Sequence, residues 1–253
     1  MEIKKDRKIL VNNVEKNFKI GFQKSEGALA RLLAVLSGRE EKRNFKVLDD
    51  ISLQVYSGEN IGLIGSNGSG KSTLLRAIAG IYQIDKGVIE TSGEVIYMNG
   101  FGLGLKPRLT MRDNVYLIGS IMGLGVKEIK ENFPKIVEFS ELEDFVDTKV
   151  YQFSSGMLNR LCFSTTIHCL GQRQLEIILL DEVFNAGGDI VFQNKALAKM
   201  EQFLRAGAAV IMVSHQLDLI QKYCHQAIWL ENGKIKKTGS AQEVVNEYLA
   251  DKN

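Results

Sequence analysis

The feature that most constrains this chain is a glycine-rich segment at residues 65–72, which reads GSNGSGKS. It follows an apolar run at 61–64 and precedes a stretch at 73–79 with the composition of a helix. This order of strand, glycine-rich turn, Lys, Ser and helix is the phosphate-binding P-loop pattern. Glycines allow the positive φ values that turn successive N–H groups toward one anion, and the helix N-terminus adds partial positive charge. We therefore predict a phosphate-binding loop rather than a plain turn between a strand and a helix.

The side chains that end this loop suit a nucleotide triphosphate. Lys71 is placed to reach the β- and γ-phosphates, and the Ser72 hydroxyl is placed to ligate Mg²⁺. The residues predicted to bind the nucleotide here are Gly65, Ser66, Asn67, Gly68, Ser69, Gly70, Lys71, Ser72 and Thr73.

Bulk properties exclude several classes of protein. The net charge is +2, from 32 basic and 30 acidic residues, so no overall field favours nucleic acid as a partner. Cys162, Cys169 and Cys224 lack metal-ligand spacing and are expected to be buried thiols. We find no signal peptide and no run of roughly 18 apolar residues that would span a bilayer. We expect a soluble, cytoplasmic chain whose membrane role needs a partner.

Strand patterns alternate with helical patterns along the chain. Residues 175–182 and 208–213 are buried-strand candidates, and residues 111–170 have helical periodicity. Alternation of this kind predicts an α/β fold with a mostly parallel sheet and an inserted helical subdomain at about 100–170. Pro134 is expected to break or kink one helix, and a turn is expected at Asn12 and Asn13.

Residues 21–43 interrupt this pattern with leucines at helical spacing. An amphipathic helix with such a stripe either packs on the domain core or lines an interface, and the sequence leaves both open. The stripe consists of Leu29, Leu32, Leu33 and Leu36.

Polar residues follow both buried-strand candidates. Asp181 and Glu182 are adjacent on a strand, so they point to opposite sides and must differ in role. Asp181 is expected to hold Mg²⁺ or one of its waters, and Glu182 to orient or deprotonate an attacking water. His215 follows the next strand and should lie at the same sheet edge, within reach of a γ-phosphate.

Four motifs occur in one order: 65–72, then FSSGM at 153–157, 177–182, and VSHQ at 213–216. Together they resemble the nucleotide-binding subunit of ABC transporters over nearly the whole chain. SSGM in place of SGGQ, DEVF at 181–184, the insert at 21–43 and the segment 228–234 resemble more narrowly the bacterial ATPases that export O-antigen, capsule or teichoic acid.

This resemblance implies a P-loop NTPase core with an N-terminal antiparallel β subdomain, all in one ABC ATPase domain over 1–253. It implies a homodimer that sandwiches ATP and Mg²⁺, with Ser154, Ser155 and Gly156 contacting the γ-phosphate in trans. It also implies two copies of an integral membrane permease, at the cytoplasmic face of the bacterial inner membrane. The insert would then be a gate-like helix facing the membrane.

The sequence departs from the family pattern at several positions. Asn99 stands nearest to the usual metal-contacting Gln, and one extra residue precedes the expected D-loop acid, Asp189. The aromatic that stacks on adenine is Phe18 or Phe45, with Phe18 preferred over Phe45, and a plain core role for Phe18 stays open. The chain stops at Asn253 without an added sugar-binding domain, so glycan selection is expected to rest on the membrane subunit.

Other functions share part of this evidence. A drug, lipid or peptide exporter would have the same catalytic residues. Soluble ABC ATPases of translation or DNA repair usually carry two ATPase units or a long coiled coil, whereas this chain has one P-loop and no sustained heptads. A P-loop small-molecule kinase would leave residues 153–157 unexplained.

Overall fold

The computed structural model describes residues 6–20, 43–99, 104–171, 175–182 and 190–252. The predictions for the amphipathic insert and for Asp189 lie outside these residues.

A small antiparallel sheet contains strands β1 (Arg7–Ile20), β2 (Arg43–Tyr56) and β4 (Lys86–Thr91), in the order β2-β1-β4. The turn expected at Asn12 and Asn13 is wrong, because β1 runs through both residues. Its register shifts against both neighbouring strands here, and Asn13 has a φ of 48°. A bulge absorbs the extra residues without ending the strand.

Within the described ranges, the larger sheet has six strands: β3 (Asn60–Ile64), β5 (Val95–Asn99), β6 (Ile177–Asp181), β7 (Ala209–Val213), β8 (Gln226–Glu231) and β9 (Lys234–Ser240). They lie in the order β5-β6-β7-β3-β8-β9, and every neighbouring pair is parallel except β8 and β9. Each of β3, β6 and β7 has five residues, and all of them are buried, which is typical of parallel strands covered on both faces. The predicted α/β fold is confirmed.

Helices cover both faces of this sheet. Helix α1 (Lys71–Ile78) and the small sheet pack on one face through residues such as Leu74, Leu75 and Leu48. The other face is covered chiefly by α5 (Ile190–Leu204), α6 (Leu217–Tyr223) and α7 (Ala241–Lys252).

The helical segment between β5 and β6 has a hydrophobic cluster of its own. It contains α2 (Met111–Ile121), α3 (Val126–Ser140), short 3-10 helices at Glu143–Phe145 and Val150–Gln152, and α4 (Ser155–Leu170). Of the two outcomes expected at Pro134, the break is wrong, since α3 continues through the proline, and the kink stays a prediction. Ile129 and Ile136, on either side of the proline, are both fully buried in this cluster. Their packing outweighs the lost hydrogen bond, and the freed carbonyl belongs to Lys130, which is exposed.

Candidate active site

The carboxyl ends of β3, β6 and β7 lie side by side in the large sheet. Asn99 at the end of β5 is in register with Asp181, and Asp181 is in register with Val213. The loops that follow these strands therefore meet at one edge, as open parallel sheets require of their binding sites. The structure thus brings the P-loop, Asp181, Glu182 and His215 to a common edge.

The P-loop has a backbone that demands glycine at two of its positions. Gly65 has a φ of 148°, and a Cβ there would lie 2.1 Å from the carbonyl oxygen of Leu230. Gly70 has a φ of 107°, and its Cβ would lie 2.8 Å from the carbonyl oxygen of Val47. Side chains are therefore excluded where the loop turns against the rest of the domain.

The phosphate-facing character of the loop also depends on α1, which starts directly after it. Gly70 is the N-cap residue, and the first turn contains no acidic residue. The partial positive charge of the helix N-terminus is therefore not offset within that turn. Ser66, Asn67 and Gly68 are exposed, so the loop is open to an incoming ligand. Ser72 and Thr73, in the first turn of α1, are half-buried.

Lys71 is held across the loop by backbone oxygens. Its Nζ donates to the carbonyl oxygens of Gly65, at 2.8 Å, and Ser66, at 2.9 Å. Burial lowers the pKa of Lys71 from its ordinary value, while the carboxylates of Glu182 and Asp181 act in the opposite direction. The buried ammonium is a ready partner for an anion bound at the loop.

Asp181 accepts one hydrogen bond on each carboxylate oxygen. Ser72 Oγ lies 3.0 Å from Oδ1, and the Tyr97 hydroxyl lies 2.9 Å from Oδ2. The residue is 2% exposed, so its position is fixed by these partners and by β6. Arg76 Nε in turn lies 3.2 Å from the Tyr97 hydroxyl oxygen.

Glu182 and His215 form a pair beside this buried group. His215 Nε2 lies 2.8 Å from Glu182 Oε1, and both side chains are roughly half exposed. Glu182 has a φ of 58°, which is uncommon for a residue with a side chain. Its amide donates to the Val213 carbonyl at 3.0 Å, which holds this strained backbone at the end of β6.

This set of residues fits a nucleotide with Mg²⁺. The glycine cradle, the ammonium of Lys71 and the helix N-terminus suit phosphate, and the oxygens of Ser72 and Asp181 suit a hard cation. Within the described ranges, no group of three or more His, Cys, Asp and Glu side chains could hold a metal. Mg²⁺ in proteins commonly keeps phosphate and water oxygens among its ligands, so the two oxygen donors of Ser72 and Asp181 fit it.

The predicted signature residues lie at the start of α4. Ser154 is the N-cap residue, and its Oγ accepts a hydrogen bond from the Met157 amide at 3.2 Å. Ser154 and Ser155 are exposed, and a Cβ at Gly156 would have Ser154 Oγ, at 3.8 Å, as its nearest neighbour. The three residues thus present a helix N-terminus at the surface.

Three further candidate residues occupy different surroundings. The Phe18 ring is half-buried and makes an edge contact with Tyr82, with centroids 5.5 Å apart. Phe45 is its cross-strand partner and is 54% exposed. Asn99 is half-buried at the end of β5, beside Asp181.

Sequence reasoning missed Tyr97 and Arg76. Strand alternation could have indicated that Tyr97 lies near the site, because Tyr97 is two residues before Asn99 and therefore on the same face of β5. That face is covered by α1, on which Arg76 follows Ser72 by four residues, one helical turn.

The remaining sequence expectations concern cysteines and membrane segments. All three cysteines are free and buried, as predicted, and burial raises the pKa of Cys162 and Cys224 to about 12. Among the helices of the described residues, none combines the length and apolar character needed to cross a membrane.

Comparison with known proteins gives a family match. Residues 48–185 match the ABC transporter family. The O-antigen export system ATP-binding protein RfbB of Klebsiella pneumoniae is 38% identical over 218 residues, which cover 86% of this chain and 85% of that protein. The teichoic acids export ATP-binding protein TagH of Staphylococcus haemolyticus (strain JCSC1435) is 36% identical over 238 residues, covering 94% of this chain and 86% of that protein.

Solved structures show the same fold. The ATP-binding subunit of an ABC transporter superposes with a TM-score of 0.70 at 21% identity, covering 95% of this chain and 93% of that one. A dimeric ATP-binding cassette in a post-hydrolysis state, bound to ADP and Pi, superposes with a TM-score of 0.69 at 20% identity, covering 92% of this chain and 98% of that one.

Proposed function

Since this chain belongs to the ABC transporter family of ATPases, we propose that it powers export of a lipid-linked polysaccharide or teichoic acid through a separate membrane subunit. The observation that carries the chemistry is the sheet edge where Asp181 bonds to Ser72 and Glu182 pairs with His215. The choice of cargo is supported by the relatives, whose names specify O-antigen and teichoic acid export.

The P-loop binds the triphosphate of ATP. Its backbone N–H groups and the N-terminus of α1 surround the phosphates, and Lys71 exchanges its carbonyl partners for the β- and γ-phosphate oxygens. Ser72 and Asp181 would hold Mg²⁺, which when bound would neutralise charge on the phosphates. Asn99 is proposed to join them, because it ends the strand next to Asp181.

Glu182 acts on the water that attacks the γ-phosphorus. Its carboxylate accepts a proton as the water oxygen bonds to phosphorus and the bond to the β–γ bridging oxygen breaks, which leaves ADP and phosphate. His215 holds the Glu182 side chain through the 2.8 Å contact and is proposed to meet the γ-phosphate. The half-exposed position of the pair leaves room for that water.

A second copy of the chain completes each ATP site. Ser154 and Ser155 are exposed and Gly156 is half-buried at a helix N-terminus, which suits a phosphate offered by another subunit. Asp189 is proposed to act at the same seam. Phe18 is proposed to stack on adenine, since it lies beside Tyr82 just beyond α1.

The subunit is proposed to act on the cytoplasmic face of a bacterial inner membrane with two copies of a permease. Closing on ATP and reopening after hydrolysis would shift the permease between two states, because the closed pair has the higher affinity for the γ-phosphate. The insert at 21–43 is proposed to face the permease.

The test is genetic and biochemical. In cells that lack this chain, surface polysaccharide should disappear and lipid-linked glycan should accumulate inside. Wild type and Lys71→Ala are then supplied separately, with Lys127→Ala, an exposed lysine on α3, as the matched control. Wild type and Lys127→Ala should restore surface glycan, whereas Lys71→Ala should not. Normal surface glycan in cells without the chain would refute the proposed cargo.

A further inference from the structure

The buried carboxylate of Asp181 is oriented from two sides, and one of the two partners has no assigned role. Ser72 Oγ bonds to Oδ1 at 3.0 Å, and the Tyr97 hydroxyl bonds to Oδ2 at 2.9 Å. A carboxylate held by a single hydrogen bond can still rotate about its side-chain torsion. A carboxylate held through both oxygens presents its remaining lone pairs in one direction.

The direction of the Tyr97 hydrogen bond is fixed by Arg76. A guanidinium only donates, so the Tyr97 oxygen accepts from Arg76 Nε at 3.2 Å and its proton is directed to Asp181. Tyr97 is therefore the donor in its hydrogen bond to Asp181.

One turn of α1 contains both residues that orient Asp181 from the helix side. Ser72 and Arg76 are four residues apart on α1, so they lie on one face of the helix. Ser72 reaches Asp181 directly, and Arg76 reaches it through Tyr97. Arg76 is itself held by Tyr82, whose hydroxyl lies 3.4 Å from NH1 and whose ring centroid lies 5.8 Å from the guanidinium carbon.

We propose that Tyr97 is a positioning residue for the metal site, which holds Asp181 in the orientation that binds Mg²⁺, with Arg76 directing its proton. This inference rests on the proposed function, because it assigns Tyr97 a part in Mg²⁺-dependent ATP hydrolysis. Tyr97 acts through Asp181, which is the residue that approaches the metal.

The test compares Tyr97→Phe with the control Tyr56→Phe. Phe keeps the ring and removes the hydroxyl, and Tyr56 bonds to the exposed Gln54 on the small sheet. Both changes are made in a Glu182→Gln background, where hydrolysis is expected to be slow. Binding of Mn²⁺ in the presence of ATP is followed by electron paramagnetic resonance, and ATP binding in EDTA is measured separately. Loss of an outer partner of a metal ligand is expected to weaken Mn²⁺ binding by about 10–100-fold.

Tyr97→Phe should show this loss with ATP binding in EDTA unchanged, whereas Tyr56→Phe should match the parent. Arg76→Met removes the donor that directs the Tyr97 proton to Asp181. It should also weaken Mn²⁺ binding, by a smaller factor than Tyr97→Phe. Unchanged Mn²⁺ affinity in Tyr97→Phe, or equal losses of Mn²⁺ and of ATP in EDTA, would overturn the inference. If the parent chain itself bound no Mn²⁺ with ATP, the proposed function would fail instead.

Discussion

His215 and Glu182 come from the ends of neighbouring strands, and their side chains meet with Nε2 of the histidine 2.8 Å from Oε1 of the glutamate. The backbone of Glu182 is left-handed, with a φ of 58°, and its amide bonds to the Val213 carbonyl. Backbone strain of this kind persists where the surrounding structure fixes it, and it is concentrated at functional sites.

Glu182→Gln should therefore separate binding from hydrolysis. The amide keeps the size of the side chain but cannot accept the proton of water, so turnover should fall by about 10²–10⁴-fold. ATP affinity should change little, because the P-loop is untouched. Phosphate release and binding of a fluorescent ATP analogue measure the two quantities. Glu131→Gln, an exposed carboxylate on α3, serves as control. Turnover retained in Glu182→Gln would remove this residue from the catalytic role.

Two glycines of the P-loop offer a matched pair. Both Gly65 and Gly68 have positive φ, but a Cβ at Gly68 would have no atom within 4 Å, whereas one at Gly65 would strike the Leu230 carbonyl oxygen. Gly68→Ala should cost only the conformational term of about 1–2 kcal/mol. Gly65→Ala should cost more and displace the loop.

Urea unfolding and ATP binding distinguish these two variants. Gly65→Ala should lose ATP affinity as well as stability, because the loop must move away from Leu230. Equal losses of stability and of affinity in the two variants would mean that the close approach of Gly65 to Leu230 has no effect.

The raised pKa of Tyr97 should affect the stability of the fold at alkaline pH. Because burial holds the pKa at about 12 against an ordinary value of 10, the neutral hydroxyl stabilises the fold. That contribution is fully present below pH 10 and is lost as the pH rises toward 12. The free energy of unfolding should therefore fall more steeply over this range in wild type than in Tyr97→Phe. Parallel curves for the two proteins would show that Tyr97 titrates normally.

The meeting of the P-loop with Asp181, Glu182 and His215 at one sheet edge could be predicted, because each of them is marked locally. The P-loop has a dense glycine pattern, and Asp181, Glu182 and His215 directly follow apolar strands. The same logic failed for Tyr97, because its partners are Arg76 and Asp181, the latter 84 residues away, and tyrosine in a strand has an ordinary packing explanation. That partnership depends on which strand lies next to β6.

Local rules also failed where tertiary packing decided the outcome. Pro134 predicts a break or a kink, but Ile129 and Ile136, on either side of it, are buried in one cluster and α3 continues through the proline. Asn12 and Asn13 predict a turn, but pairing with strands on both sides keeps β1 continuous through a bulge. In both cases long-range contacts outweighed a local preference of a few kcal/mol.

We propose that ATP is hydrolysed between two copies of this chain, at sites formed by the P-loop of one copy and the start of α4 of the other. Lys71→Ala disables the first element. Gly156→Asp is designed to disable the second by adding a negative charge, and the Cβ of the new side chain would have Ser154 Oγ, at 3.8 Å, as its nearest neighbour. Each variant alone should be inactive.

The most direct measurement is the ATPase rate of a mixture of these two variants. Consider a dimer of one Lys71→Ala chain and one Gly156→Asp chain. If each ATP site combines the P-loop of one chain with the start of α4 of the other, one site carries both defects and the other site carries none. Mixing should therefore restore ATP hydrolysis well above that of either variant alone. If each site were built within one chain, both sites of every dimer would carry a defect, and a mixture as inactive as its components would contradict the account.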